Sequence, residues 1–346
     1  MLDERKLKVL YAIIDSYIAS AEPIGSRTIS KYYNLGVSPA TIRNEMSDLE
    51  DLGYLNKTHS SSGRVPSDKA YRLYVDRMIN LNQKVDKKRK QEIKIILEKE
   101  HSELDQLVQN SAKILSQITS YTALALSPQI KETKIKHVQL VPIDKTQVLL
   151  IIVNENGLVK NTVFKMENQI PEDQLVALTN MLNIKLKNKS ISEIEKGALS
   201  DVFSEFYQYK SEIEKIIPVI NKSVESIESI DLYSDGITKL LSFPEYKDIE
   251  KVRTIISFIE DKNDLIHMLV EDSLPGDIEI RIGNENFYAP IKDCSIITAT
   301  YKLDGETIGK IGILGPTRMD YINLSRTLKI FSENISEIIN NYNVTK

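Results

Sequence analysis

The chain has 346 residues, 41% hydrophobic and 27% charged, a balance that supports more than one folded core and excludes disorder as its main state. Its net charge of −4 argues against a blanket nucleic-acid coat, and its single cysteine, Cys294, excludes an internal disulfide and reads as a buried small hydrophobe. No run approaches the roughly 18 apolar residues of a spanning helix, and the opening MLDERKLKVL mixes acids and bases where a signal peptide needs an apolar core, so the expectation is a cytoplasmic protein without a membrane partner.

From Asp3 to Ala19 the apolar residues Leu7, Leu10, Tyr11, Ile14, Tyr17 and Ile18 recur at helical spacing, and Pro23 and Gly25 interrupt the pattern. SRTISKYYN predicts a second helix, with Ser26 as its cap and Ile29, Tyr32 and Tyr33 turned inward, and Gly36 marks the turn after it. VSPATIRNEMSDLEDLGYL (Val37–Leu55) predicts a third. Ser38 caps it, Pro39 takes the first-turn position where its missing N–H costs nothing, and Gly53 closes it. Three short helices with a tight turn before the last make a helix-turn-helix pattern. A hairpin then follows: Tyr54 and Leu55 start a strand, Ser60, Ser61, Ser62 and Gly63 form a loop, and Val65 begins a return strand halted by Pro66. A helix carrying Tyr71, Tyr74 and Val75 comes next, and the whole reads as a winged helix with Arg64 at the wing.

KVDKKRKQEIKIILEK, residues 84–99, holds seven Lys or Arg against three acids; it reads as a solvated helix face, with a role toward a nucleic-acid backbone as the alternative. Helical periodicity continues over 91–118 through Ile93, Leu97, Leu104, Leu107, Ile114 and Ile118. HVQLVPID, QVLLIIVNENG and LVKNTVF read as strands, with NENG as a hairpin turn. Helices are expected to dominate from about Pro171 to Asp272, followed by three strands (DIEIRIGNEN, CSIITATYKLDG, ETIGKIGILG) and a final helix from about Asp320 to Asn341. The fold class is therefore α+β and multidomain, with strands at both ends of a sensor-like region that has a helical middle.

No constellation supports an enzyme, a metal or a cofactor. His59, His101, His137 and His267 lie far apart, with no acid or cysteine at metal-ligand spacing. The glycines of GKIGILG (Gly309, Gly312, Gly315) match neither the dinucleotide fingerprint nor a P-loop, sit in strand periodicity, and read as turn and close-packing glycines.

The third helix has two distinct faces. At roughly 100° per residue, Ile42, Met46 and Leu49 fall within about 60° of one another, while Ala40, Asn44 and Ser47 fall opposite and Thr41 and Arg43 flank them. That outer face is small and hydrogen-bonding at the N-terminal end, the end a recognition helix presents to a major groove. Ala40 and the Thr41 methyl suit a thymine methyl, Asn44 suits adenine, Arg43 suits guanine or phosphate, and the serines suit phosphate oxygens. The acids Asp48, Glu50 and Asp51 come later and point away from or along the groove. The alternative for this helix taken alone is a capped surface helix with no partner.

EPIGSRTI (Glu22–Ile29), SPATIRNEMSDLEDLGYL, the wing HSSSGRVPSDKAYRLYVD (His59–Asp76) and GKIGILGPTRMDY (Gly309–Tyr321) together make the chain resemble the heat-inducible transcription repressor HrcA family, over nearly its whole length. Thr58, Ser60, Ser62 and Ala70 depart from the family's usual wing residues, which touches fine contacts and not the wing itself. The resemblance implies a dimeric, sequence-specific repressor of chaperone operons that binds double-stranded DNA at an inverted-repeat operator, with its activity modulated by the GroE chaperonin. It implies a winged-helix DNA-binding domain over 1–80, a helical linker over 81–100, a GAF-like domain formed by 101–134 and 228–346, and an inserted dimerisation domain over 135–227. The residues expected at DNA are Ser26, Arg27, Thr28, Ser38, Ala40, Thr41, Arg43, Asn44, Ser47, His59, Ser60, Ser61, Gly63 and Arg64. The alternative reading is a regulator whose GAF-like region binds a small molecule that switches DNA affinity.

Overall fold

Asp3 starts the first helix, α1 (Glu4–Ser20), by accepting the Lys6 amide at 2.8 Å, and Ala21 ends it in the left-handed conformation. α2 (Ser26–Tyr32) and α3 (Pro39–Asp51) follow, then an antiparallel pair, β1 (Leu55–Lys57) and β2 (Arg64–Pro66), and α4 (Asp68–Met78). In the computed structural model the residues described are 2–33, 36–57, 63–78, 86–99, 104–129, 134–155, 159–166, 171–190, 193, 218–220, 222, 230–270 and 276–344. Leu10, Ile13, Ile14, Ile29, Ile42, Leu49, Leu55 and Tyr71 are almost wholly buried and form the core of this N-terminal head.

Two local expectations are corrected in α2. Gly25, not Ser26, is the N-cap, with no side-chain capping bond, so Ser26 is the first helical residue. Tyr32 is 72% exposed instead of turned inward. The helix is seven residues long and buries only Ile29, and the chain leaves it through an extended Tyr33. The ammonium of its neighbour Lys31 lies 5.5 Å from the centroid of the Tyr32 ring.

Beyond the head run α5 (Lys87–Lys99), α6 (Leu104–Thr119), β3 (Thr122–Leu126), β4 (Ile135–Pro142), β5 (Gln147–Asn154), β6 (Val159–Lys165) and α7 (Glu172–Leu186). They are followed by β7 (Leu232–Asp235), α8 (Ile249–Glu260), α9 (Lys262–Val270), β8 (Ile278–Ile282), β9 (Cys294–Leu303), β10 (Glu306–Pro316) and α10 (Tyr321–Val344). Periodicity over 91–118 thus belongs to two helices, and the second half of the NENG turn lies outside the described residues. The chain divides into two compact units, one of 1–98, 109–126 and 232–337, the other of 99–108, 127–231 and 338–346. Mixed helices and sheets make the protein α+β throughout.

In the first unit the head shares its fold with a five-stranded antiparallel sheet of order β7-β3-β10-β9-β8. β9 and β10 are buried along almost their whole length, which explains their near-continuous apolar sequence, and the GKIGILG glycines lie within β10 against Tyr301, Thr298 and Tyr121. Cys294 is buried there with its sulfur 3.2 Å from the Tyr246 hydroxyl, and burial pushes its thiol up to about 11. Lys90 and Lys94 of α5 pair with Glu333 and Glu337 of α10 at 2.7–2.8 Å, so part of the basic run is consumed inside the fold, while Lys87, Lys88 and Arg89 are exposed.

In the second unit β4, β5 and β6 form an antiparallel sheet with α7 on one face. Val138, Leu140, Val148, Leu150 and Ile152 alternate inward against Leu175, Leu178 and Leu182. The Asn183 amide fixes the helix to β4 by accepting from the Val138 amide at 2.9 Å and donating to the Val138 carbonyl at 2.6 Å.

Candidate nucleic-acid interface

α3 is held at both ends by its own sequence. The Ser38 hydroxyl accepts the Thr41 amide at 3.1 Å and lies 3.0 Å from the Thr41 hydroxyl, satisfying one of the four amides a helix start leaves without partners. Ile42, Met46 and Leu49 are buried, as the helical wheel requires, and so is Glu45. Ala40, Arg43, Asn44 and Ser47 are exposed, and Thr41 is half-buried.

Lys6 of α1 explains the buried acid. Its ammonium lies 2.9 Å from Glu45 and 3.0 Å from Asp48, and the Arg5 guanidinium lies 3.6 Å from Glu45. Glu45, then Asp48, raise the Lys6 pKa well above the ordinary lysine value, so this cation is fixed between α1 and α3. The signal in sequence was a charged residue beside the apolar seam, but its partner is about forty residues away and no local rule names it.

The hairpin is tied down by a close backbone approach. Ile24 and Arg64 exchange backbone hydrogen bonds, Ile24 N to Arg64 O at 3.0 Å and Arg64 N to Ile24 O at 2.9 Å, which adds a third rung beside β1 and β2. A Cβ on Gly63 would lie 2.8 Å from the Pro23 carbonyl carbon and oxygen, so only glycine admits this crossing. The Arg64 side chain is directed inward. Its Nε and Nη2 lie 2.7 and 2.6 Å from Glu50 Oε2, and the side chain is only 17% exposed, because the last turn of α3 sets Glu50 directly across from β2. Arg64 therefore braces the hairpin against α3.

Six of the expected residues meet in one open cleft: Ser26, Arg27 and Thr28 from α2, Arg43 from α3, and Gly63 and Arg64 from the hairpin. Lys57 of β1 lines it too and escaped the sequence reading, since a lone lysine at a strand end carries no periodic signal. The cleft is basic and opens beside the exposed N-terminal half of α3. Ala40, Asn44 and Ser47 lie on the outer face of that helix and do not line the cleft, while Ser38 is engaged as the cap. His59, Ser60 and Ser61 lie outside the described residues.

Electrostatically, three acids of α3 are taken up by cations of other elements: Glu45 and Asp48 by Lys6, Glu50 by Arg64. What the first two turns show to solvent is Ala40, Arg43, Asn44 and Ser47, one cation and hydrogen-bonding or small groups, with no carboxylate among the exposed side chains from Pro39 to Ser47. This is a surface suited to a polyanion with readable base edges. No helix among the described residues is long and apolar enough to cross a membrane.

The family model and the sequence relatives point to one family. Residues 105–324 match the family model described as the HrcA protein C terminal domain. The heat-inducible transcription repressor HrcA of Alkaliphilus metalliredigens is 43% identical over 338 residues, covering 98% of this chain and 98% of that one. The protein of the same name from Clostridium tetani is 44% identical over 339 residues, covering 97% and 95%. A hypothetical protein with a crystal structure at 2.2 Å superposes with a TM-score of 0.71 at 22% identity, covering 99% of this chain and 100% of its own, a likeness of fold.

Proposed function

The chain belongs to the HrcA family of heat-inducible transcription repressors, not to an enzyme family, and from that premise we propose that it represses heat-shock operons by binding an inverted-repeat operator as a dimer. The observation that carries the DNA role is α3, whose Ile42, Met46 and Leu49 are buried while Ala40, Arg43, Asn44 and Ser47 are exposed beside a cleft bearing Arg27, Arg43 and Lys57. In this reading residues 1–80 are a winged helix and α3 enters the major groove by its first two turns. Asn44 and Arg43 contact base edges, and Ser26, Arg27, Thr28 and Ser47 reach phosphate oxygens and sugars. Ser38 sets the helix start, and the hairpin tip at His59, Ser60 and Ser61, anchored by Gly63 and Arg64, tracks the adjoining backbone.

The remainder supplies the dimer and the control. We read 101–134 and 228–346 as a GAF-like body, 81–100 as its helical link to the head, and 135–227 as an inserted dimerisation domain. The GroE chaperonin promotes the active repressor, and heat, by diverting chaperonin, releases the operon.

The test is binding of the full chain to duplexes selected from a randomised inverted-repeat pool, over a range of salt. The logarithm of affinity is expected to fall linearly with log salt, each neutralised phosphate adding about −0.9 to the slope, and scrambled duplex to bind far more weakly. Equal affinity for selected and scrambled duplexes at every salt concentration would sink the proposal. Added GroE is expected to raise the fraction of chain competent to bind.

A further inference from the structure

The two distinctive sequence stretches that the DNA-facing helix leaves unused, the α4 part of HSSSGRVPSDKAYRLYVD and the end of GKIGILGPTRMDY, meet at the joint between the head and the five-stranded sheet. Asp68, in the first turn of α4, accepts from the Asn284 amide at 3.0 Å and from its side-chain Nδ2 at 2.9 Å. Gly283 makes this possible. Its φ is +54°, and a Cβ there would stand 2.3 Å from the Asp68 carboxylate. One helical turn on, Arg72 donates from Nε to Glu285 Oε1 at 2.7 Å, from Nη2 to Glu285 Oε2, and from Nη2 to the Ile280 carbonyl at 2.6 Å. Between them the buried Tyr71 ring lies 5.9 Å from the buried ring of Tyr321. At a second point Arg318 donates to the Ile18 carbonyl in the last turn of α1 at 3.2 Å, while its Nη2 holds Glu245 at 3.2 Å.

A head merely tethered by a linker has no need of such contacts. The forked guanidinium–carboxylate pair of Arg72 and Glu285 on α4 is directional, and the Arg318 bond to the Ile18 carbonyl adds a second point on α1, so rotation is restrained as well as translation. The constraint reaches the DNA-facing helix, because Lys6 fixes α1 to Glu45 and Asp48 of α3. We infer that Asp68, Arg72, Glu285 and Arg318, with Gly283 admitting Asp68, are positioning residues that lock the angle at which α3 is offered and so set the half-site spacing the repressor accepts. This rests on reading the chain as an operator-binding dimer.

DNA geometry makes the consequence measurable: one base pair added between half-sites turns the second by about 34° and moves it about 3.4 Å. A locked head cannot follow, so the native chain should lose roughly tenfold in affinity, the loss of about one good base contact. The experiment uses the full chain and duplexes selected from a randomised inverted-repeat pool, each then remade with one base pair added or removed at the centre. Arg72→Gln and Gly283→Ala should bind the selected spacing more weakly and the altered spacings nearly as well as the selected one, within about twofold, while the swap Arg72→Glu with Glu285→Arg restores discrimination. In parallel, spin labels on Asp51→Cys and Glu306→Cys report head–body distance without DNA, narrow in the native chain and broadened in the single variants. Widths that stay equally narrow would overturn the lock, whatever the DNA result. Broadened widths with unchanged spacing discrimination would overturn its role in operator geometry. Absence of any preference for inverted repeats in the native chain would overturn the operator reading itself, and the DNA-free distances separate that failure from a failure of the lock.

Discussion

The pair Glu50–Arg64 gives the sharpest test of how the hairpin is held. Two guanidinium nitrogens lie 2.6 and 2.7 Å from one carboxylate oxygen, and the side chains are 17% and 30% exposed. Fully exposed pairs are worth about 0.2–1 kcal/mol and hydrogen bonds to charged groups about 1.5–3 kcal/mol, so a half-sheltered pair of this geometry should couple by about 1–1.5 kcal/mol. Arg64→Ala alone should weaken the hairpin by about 2 kcal/mol, because the arginine stem also loses its packing. The assay is amide hydrogen exchange of the β1–β2 ladder in the native chain, Arg64→Ala, Glu50→Ala and the double variant, read as a double-mutant cycle. A coupling below about 0.3 kcal/mol, the ordinary error of additivity, would refute the bracing role. DNA binding supplies an independent arm. A brace leaves the slope of log affinity against log salt unchanged in Arg64→Ala, whereas a phosphate clamp would make it shallower by about 0.9.

Other outcomes follow from single contacts. Ser38→Ala removes the cap on α3 and should cost about 1 kcal/mol of stability, measured by denaturant titration, with Ser38→Gly costing only a few tenths. Asn44→Ala should leave stability within about 0.5 kcal/mol, since the residue is exposed, yet relax base preference by roughly 1–3 kcal/mol at one position of each half-site in a competition assay. An unchanged preference would move the reading face elsewhere on the helix. Hydrogen bonds from Lys90 and then Lys94 hold the Glu337 carboxyl below its ordinary value of 4.5. A depressed acid stabilises the fold above its unfolded pKa and loses that contribution as pH falls through the folded one, so stability should drop on acidification below about 4.5. Glu337→Gln should flatten that part of the acid profile.

Much of the head was legible because its signals are local. Ser38, Pro39, Gly53 and the Ile42–Met46–Leu49 seam each act within a few residues, and each is found where the pattern put it. Burial by distant partners was not legible. β3, Thr122–Leu126, is buried at every residue and so shows no alternation by which its five positions can be told from a helix fragment. β7 is four residues long, and its place at the sheet edge follows from pairing with β3 across more than a hundred residues of chain. Tyr32 was misplaced for the opposite reason: helical spacing suggested an inward ring, but α2 stops before a second buried position can form. The site followed the same division. The outer face of α3 was readable from a helical wheel, whereas the inward turn of Arg64 and the part played by Lys57 depend on how the hairpin crosses Ile24.

A chain with net charge −4 can still present a face suited to DNA, and the arrangement of α3 explains how. The helix carries Glu45, Asp48, Glu50 and Asp51, enough to repel phosphates if all faced the groove. The first three are paired with Lys6, Arg5 and Arg64 in contacts of 2.6–3.6 Å, and Asp51 stands at the far end of the helix from Asn44. From Arg43 to Asp51 is eight residues, about 12 Å at the helical rise, beyond the roughly 8 Å over which salt at physiological strength lets exposed charges act. The cations that satisfy the α3 acids are therefore doing two things at once: they fasten α1 and the hairpin to the helix, and they clear its first two turns of negative charge. Charge reversal at Lys6 would for that reason damage DNA binding twice over, by loosening α3 and by returning Glu45 and Asp48 to the field the phosphates meet.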